Sequence, residues 1–316
     1  MLRTTHAVAA GAVLICALAA PAPAASAFQP IVELPGFSST DQVAVDSPLH
    51  RVFVLGDDAA RRDGRLFAMI DSRTDEPIGS PVPIEGGDFI AADPVSHRVF
   101  VTDMESARIS VLDGRTGALI VRSAPLGRLI GQVVVDPYAA RLFVMDDQRH
   151  LITLDESGGV IRSVTVPNAG TSVAVDFTGQ KAYVPTDGRG VAVVDTEGGA
   201  VIGSVAVSGA TGSIAADSLN RSVMVATAGS VVTIDTRTDT VAATTPMGYD
   251  TNRPIGVDIV GHTYLARDSD TIVFAVTGTT VRRLAVDSLG SMGVDYLLHK
   301  VYASYTNRPW VSMLAL

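Results

Sequence analysis

The chain has 316 residues, 47% of them hydrophobic, with 33 acidic against 24 basic side chains and a formal net charge of −9. That balance opposes adsorption to nucleic acid or anionic lipid and disfavours nucleic-acid binding as a function. The single cysteine, Cys16, lies in the N-terminal leader, so the mature chain is expected to use neither disulfides nor thiolate chemistry.

The first predicted element is not part of the fold. Arg3 precedes an apolar run from Ala7 to Ala20, Pro21-Ala22-Pro23 interrupts it, and Ala25-Ser26-Ala27 supplies small residues for cleavage. Residues 1–27 therefore read as a cleaved secretory signal peptide. The run falls short of the roughly 18 residues a membrane span needs, and no later stretch reaches that length. The expected location is secreted, extracellular or periplasmic, with residues 28–316 forming a single domain.

Next comes an unattached strand, Pro30-Ile31-Val32-Glu33-Leu34-Pro35, and then one phrase that recurs seven times. Small or apolar residues lead to Asp, a turn, usually a basic residue and an apolar-aromatic-apolar triplet. The copies run Val43-Ala44-Val45-Asp46 to Arg51-Val52-Phe53-Val54, Ile90-Ala91-Ala92-Asp93 to Arg98-Val99-Phe100-Val101, and Val133-Val134-Val135-Asp136 to Arg141-Leu142-Phe143-Val144. Then follow Val173 to Val184, Ile214 to Val225, Ile255 to Leu265 and Met292 to Ala303. Successive Asp residues are 37 to 47 positions apart. Most copies add a third strand ending in Asp, such as Ser110-Val111-Leu112-Asp113, and a fourth such as Val160 to Val166. Runs this short, rich in Val, Ile and Thr and bounded by Gly, Asp and Pro, are strands.

Four strands in about 40 residues make one blade of a β-propeller. The expected fold is all-β: a seven-bladed propeller of four-stranded blades. The seventh copy stops after its third strand, Trp310 to Leu316, so the spare strand at Pro30–Pro35 is expected to pair with it and close the ring, removing two bare edges.

Phrases such as Arg98-Val99-Phe100-Val101-Thr102-Asp103 and Lys181-Ala182-Tyr183-Val184-Pro185-Thr186 resemble the YVTN-type repeat of YncE-like propellers, over nearly the whole mature chain. The Asn that ends that family's motif is absent, and Thr277 replaces the third-strand Asp in one copy. The resemblance implies the fold, and an exported binding protein or a lactonase-like enzyme. WD-repeat and quinone-dependent propellers fit less well, because Trp310 is the only Trp.

Repetition also sorts the chemistry. Asp46, Asp93, Asp136, Asp176, Asp217, Asp258 and Asp295 recur at one turn and read as turn formers, as do Asp71, Asp113, Asp155, Asp195 and Asp235. His50, His97, His262 and His299 read as solvated turn residues spread around a ring, not as a zinc site. His150 alone lies in a loop between second and third strands. No Gly-x-Ser-x-Gly elbow and no phosphate loop occurs. What remains is the non-repeating loop chemistry, and the expected binding residues are Asp57, Arg61, Asp103, Asp146, Asp187, Tyr249, Asn252, Arg253, Asp268, Tyr305, Asn307 and Arg308. Tyr249 to Pro254 and Tyr305 to Pro309 share Thr-Asn-Arg-Pro beside a Tyr, a composition suited to recognition. The leading expectation is a monomeric, non-enzymatic binding protein for a protein, peptide or cell-envelope polymer, with no cofactor and no nucleic acid. The alternative is a hydrolase with a metal-assisted site at the channel mouth; the sequence names no catalytic residue and no metal ligand.

Overall fold

The computed structural model describes residues 29–127, 131–187, 190–246, 253–258, 263–268, 271–276, 280–285 and 289–315; within these, the side chains of residues 29–31, 211 and 253–285 are left aside. Residues 1–27, expected to be a signal peptide, and Tyr249, Asn252 and His262 lie outside the described residues.

The chain starts with β1 (Gln29–Glu33). The first sheet holds β2 (Gln42–Asp46), β3 (Arg51–Asp57), β4 (Arg65–Asp71) and a fourth strand split into β5 (Glu76–Pro77) and β6 (Val82–Ile84), both paired with β4. The second comprises β7 (Phe89–Ala92), β8 (Arg98–Asp103), β9 (Arg108–Asp113) and β10 (Leu119–Arg122), and the third β11 (Val134–Asp136), β12 (Arg141–Met145), β13 (His150–Asp155) and β14 (Val160–Thr165). The fourth holds β15 (Ala174–Asp176), β16 (Lys181–Thr186), β17 (Gly190–Asp195) and β18 (Ala200–Val205). The fifth runs through β19 (Ala210–Asp217), β20 (Ser222–Thr227), β21 (Ser230–Asp235) and β22 (Thr240–Pro246). The sixth has β23 (Arg253–Asp258), β24 (Thr263–Asp268), β25 (Thr271–Val276) and β26 (Thr280–Ala285), and the chain ends with β27 (Leu289–Asp295), β28 (Lys300–Tyr305) and β29 (Trp310–Ala315).

Six sheets are thus continuous in sequence, and the chain by itself completes six, not seven. The remaining sheet is composite, ordered β1-β29-β28-β27. In it β1 runs antiparallel to β29, with Gln29 opposite Met313 and Glu33 opposite Trp310. The first strands touch in chain order, β2 with β7, β7 with β11 and onward to β23 with β27, and β27 touches β2 again.

Burial follows strand position. The second and third strands are sandwiched between neighbouring sheets, so β12 and β16 are buried along almost their whole length. Both faces of such strands are covered, which is why they read as unbroken apolar runs. The core is distributed as clusters between adjacent sheets, such as Phe143, Val184 and Val194 between the third and fourth, and Val54, Ile70, Tyr302 and Val311 between the first and the composite sheet. Fourth strands face solvent, as β14 and β18 do. Those of the second to fifth sheets carry a register shift that leaves one residue unpaired: Ile120, Ile161, Ile202 and Ala242. The same shift falls at position 31 of β1, so β1 has the backbone signature of a fourth strand. Bulges twist an edge away from pairing with a stranger.

The turn between first and second strands ends on a left-handed residue at the same repeat position: His50, His97, Ala140, Gln180, Arg221 and His299, with φ between 52° and 57°. No Cβ-bearing residue is comfortable there. Ala140 makes no side-chain bond that offsets the cost, so Ala140→Gly is expected to stabilise the fold by about 0.5–1 kcal/mol, read as a raised midpoint in urea unfolding.

Candidate functional site

Antiparallel pairing sends alternate connections to opposite ends of every sheet. The turns joining first to second and third to fourth strands share one end. The loops joining second to third strands, and those between sheets, share the other.

At the turn end the repeated aspartates are structural, as their recurrence implied. Asp46, Asp93, Asp136, Asp176, Asp217 and Asp295 are buried. Each accepts backbone amides two or three residues on, for example Leu49 at 3.0 Å, Val95 at 2.7 Å and Gly179 at 3.0 Å. The third-strand set does likewise, with the amides of Arg73, Arg115, Ser157, Glu197 and Arg237 on Asp71, Asp113, Asp155, Asp195 and Asp235.

Residues of these turns also tie neighbouring sheets together, which sequence reading missed. Ser72 Oγ donates to Asp295 Oδ2 at 2.6 Å, and Thr236 Oγ1 and Arg221 Nε donate to Asp176 Oδ2. His97 Nδ1 meets Asp46 Oδ2 at 2.7 Å, so this histidine is an inter-sheet donor and not a solvated turn residue. In four copies the repeated basic residue reaches the following sheet, Arg98 to Glu156 at 2.6 Å, Arg141 to Thr196 O at 3.1 Å, Lys181 to Asp239 at 2.7 Å and Lys300 to Asp75 at 2.8 Å, whereas Arg51 pairs with Asp71 of its own sheet at 3.1 Å. Two buried tyrosines add to it, Tyr183 to Asp239 and Tyr302 to Asp75, each at 2.6 Å.

Burial, and then the bonded aspartate, push both phenols above the ordinary tyrosine range. A raised folded value means a contribution fully present below about pH 10 and lost as pH rises further. Alkaline titration followed by tyrosinate absorbance should therefore leave Tyr183 and Tyr302 silent until the chain unfolds. Tyr183→Phe and Tyr302→Phe should each shrink only the late, unfolding-linked step.

At the loop end most of the expected binding residues have a local partner. Asp57 accepts Ser39 Oγ at 3.0 Å and pairs with Arg65, which also pairs with Asp41 and donates to Gly87 O at 2.6 Å. Arg61 is exposed. Asp103 accepts the Ser106 hydroxyl and amide at 2.5 and 3.0 Å. Asp187 is exposed and meets Arg149 at 3.3 Å, joining the third and fourth sheets. Asp146 is buried; it accepts the amides of Gln148 and His150 and bonds His150 Nδ1 at 2.7 Å. Tyr305 is only 6% exposed and its backbone is clamped by Thr40, so its ring belongs to the core and not to a recognition surface. Asn307 is exposed, and the Arg308 guanidinium lies 5.0 Å from the Trp310 ring centre. Arg253 opens β23 opposite Arg267, and Asp268 closes β24 opposite Thr271. Among the described residues, no group of three or more His, Asp or Glu is placed to hold a metal ion.

Three further features carry no sequence signal. Arg65 is the hub of the loop end in the first sheet. A cleft of about 470 Å³ opens at the rim between the first two sheets, lined by Phe67, Val82, Ile84, Leu112 and Leu119 beside the Glu85–Arg122 pair. It sits where the outer strand of the first sheet is broken. At the turn end, Val95, Tyr138, Leu219 and Leu297 are half or more exposed, all two residues beyond a buried Asp.

Comparison with solved structures settles the architecture. Hydrazine synthase from Kuenenia stuttgartiensis aligns over 90% of this chain and 97% of its own, with a TM-score of 0.71 and 15% identity. BamB from Moraxella catarrhalis aligns over 88% and 83%, with a TM-score of 0.55 and 17% identity. This chain is a β-propeller. At such identities the likeness shows the fold alone. No family model and no curated protein matches the chain. The sheets are the blades of the propeller, and its two ends are a turn face and a loop face.

Proposed function

We propose that this propeller is an exported, monomeric, non-enzymatic binding protein of the YVTN type, a seven-bladed ring closed by β1, that holds a protein, peptide or envelope polymer on its loop face. The observation that carries the reading is the local pairing of the loop-face groups. Asp57, Asp103 and Asp187 each answer a local partner, and among the described residues no three His, Asp or Glu are grouped so as to hold a metal ion. A catalytic centre needs convergence of such groups. A recognition surface needs polar groups at fixed, separate positions, which local ion pairs supply. Arg61, Asn307 and Arg308 add donors to that surface, as do Asn252 and Arg253 by their place in the sequence. No helix is long and apolar enough to cross a membrane among the described residues.

The test is site-specific photo-crosslinking in the source cells, with probes at Arg61 and Asn307 on the loop face and at Tyr138 and Ile161 as controls. One adduct of common size from both loop-face sites is expected. Adducts from Tyr138 alone would move the surface to the turn face.

One observation favours the hydrolase alternative. The Asp146 carboxylate orients the half-buried His150 imidazole, the arrangement of a general base and its orienting acid. Purified protein assayed on aryl esters and lactones, with His150→Ala as the comparison, decides it: turnover lost in the variant would favour the enzyme.

A further inference from the structure

The position after the third-strand Asp does the same job in two blades. In the first and fifth blades it is Ser72 and Thr236, both buried, and each hydroxyl donates to the Oδ2 of the inner Asp of the preceding blade, Asp295 and Asp176. In the second blade it is Gly114, where a side chain would strike His97 O and Phe53, and His97 supplies the donor to Asp46 instead. In the third blade it is Glu156.

Glu156 sits across the junction from Asp93, the inner Asp of the preceding blade: its Oε2 is 2.6 Å from Arg98, whose carbonyl accepts the Asp93 amide at 2.9 Å. Asp93 is fully buried; its Oδ1 accepts the amides of Val95 and Ser96, while its buried Oδ2 has no donor. Two carboxylates side by side satisfy nothing, since each is an acceptor only. One proton between them restores the donor that Ser72 and Thr236 provide elsewhere. We propose that Glu156 retains its carboxyl proton in the folded propeller and donates it to Asp93 Oδ2, making the junction between the second and third blades an acid-stabilised latch.

The surroundings set its direction. Burial first, and then Asp93, raise the affinity of Glu156 for its proton. Arg98, 2.6 Å from Glu156 Oε2, opposes them by favouring the carboxylate, and Ser96 lies on the same side. The neighbouring Asp155 is committed to Ser157 and Gly159, and His97 to Asp46. With the folded value raised, the latch is fully formed below the unfolded value of about 4.3 and is lost as pH rises through the folded one. Once ionised, Glu156 keeps Arg98 but repels Asp93, and Oδ2 is left bare.

The experiment compares thermal unfolding of the full chain and Glu156→Gln, whose amide donates at every pH. From about pH 4 to about pH 8 the advantage of the Gln variant over wild type should grow by about 2–4 °C. Arg98→Met, which removes the opposing cation, should shift the wild-type loss to higher pH. Hydrogen exchange on wild type alone gives an independent reading: the amides of Val95, Ser96 and His97, corrected for intrinsic rates, should lose at least about threefold in protection over that range. Parallel curves for wild type and Glu156→Gln, or protection at this turn that does not change with pH, would overturn the proposal.

Discussion

Replacing Asp75 with alanine is expected to cost the fold about 2–4 kcal/mol. Asp75 belongs to the third-to-fourth strand turn of the first blade. It accepts Lys300 Nζ at 2.8 Å and Tyr302 OH at 2.6 Å from the composite blade, across more than 220 residues of chain. Lys300 and Asp75 are about four-fifths covered, and Tyr302 is fully buried. Alanine would leave a largely covered ammonium and a buried phenol with fewer partners, and that penalty exceeds the worth of an exposed ion pair. Lys300 retains Ser72 O at 2.7 Å and Tyr302 retains it at 3.1 Å, which keeps the loss below that of an isolated buried charge. Asp239 holds the same place against Lys181 and Tyr183, so Asp239→Ala should cost a similar amount. Urea unfolding measures both. A loss below about 0.5 kcal/mol in each would mean that these junction bonds are replaceable by water.

Removing residues 28–33 should be more damaging still. Without β1, the backbone edge of β29 is bare, and Val311 and Tyr302 lose the cover that Val32 provides on their cluster. Burial of the Val and the lost strand pairing together amount to at least about 4 kcal/mol. The truncated chain is expected to unfold or associate through the freed edge. The decisive measurement is rescue: a peptide of residues 28–35 added in trans should restore the monomer and its melting temperature, whereas a peptide with Val32→Asp should not. A truncated chain as stable as the intact one would show that β1 contributes nothing to the last blade.

The blade repeat was legible because its signal is local. Val, Ile and Phe triplets and the Asp turns fall within a few residues of one another, and each blade repeats them. The split fourth strand of the first blade was not read, although Pro77, Pro81 and Pro83 remove three amides from that stretch and explain the break. The bonds between blades were illegible for a different reason. Asp46–His97, Asp176–Thr236 and Ser72–Asp295 join residues 51, 60 and 223 positions apart, and only the packing of one blade on the next brings them together. His97 was therefore misjudged as solvated, and the recurring basic residue had no assigned task. At the candidate site, the sequence located the loops but not their internal pairing. Asp146 meets His150 only because a tight loop folds the chain back within four residues, and Tyr305 is buried because the segment before β2 closes over it.

The composite blade also imposes an order of events. Residues 29–33 are among the first of the domain to be made, and their partners at 310–313 are among the last. No earlier part of the chain can complete that sheet, so the first strand must wait, unpaired, through the synthesis of nearly everything else. Six blades can form as they emerge, each from its own contiguous segment. The final step brings together the two most distant parts of the domain, and it carries the largest loop-closure entropy of any contact in the molecule.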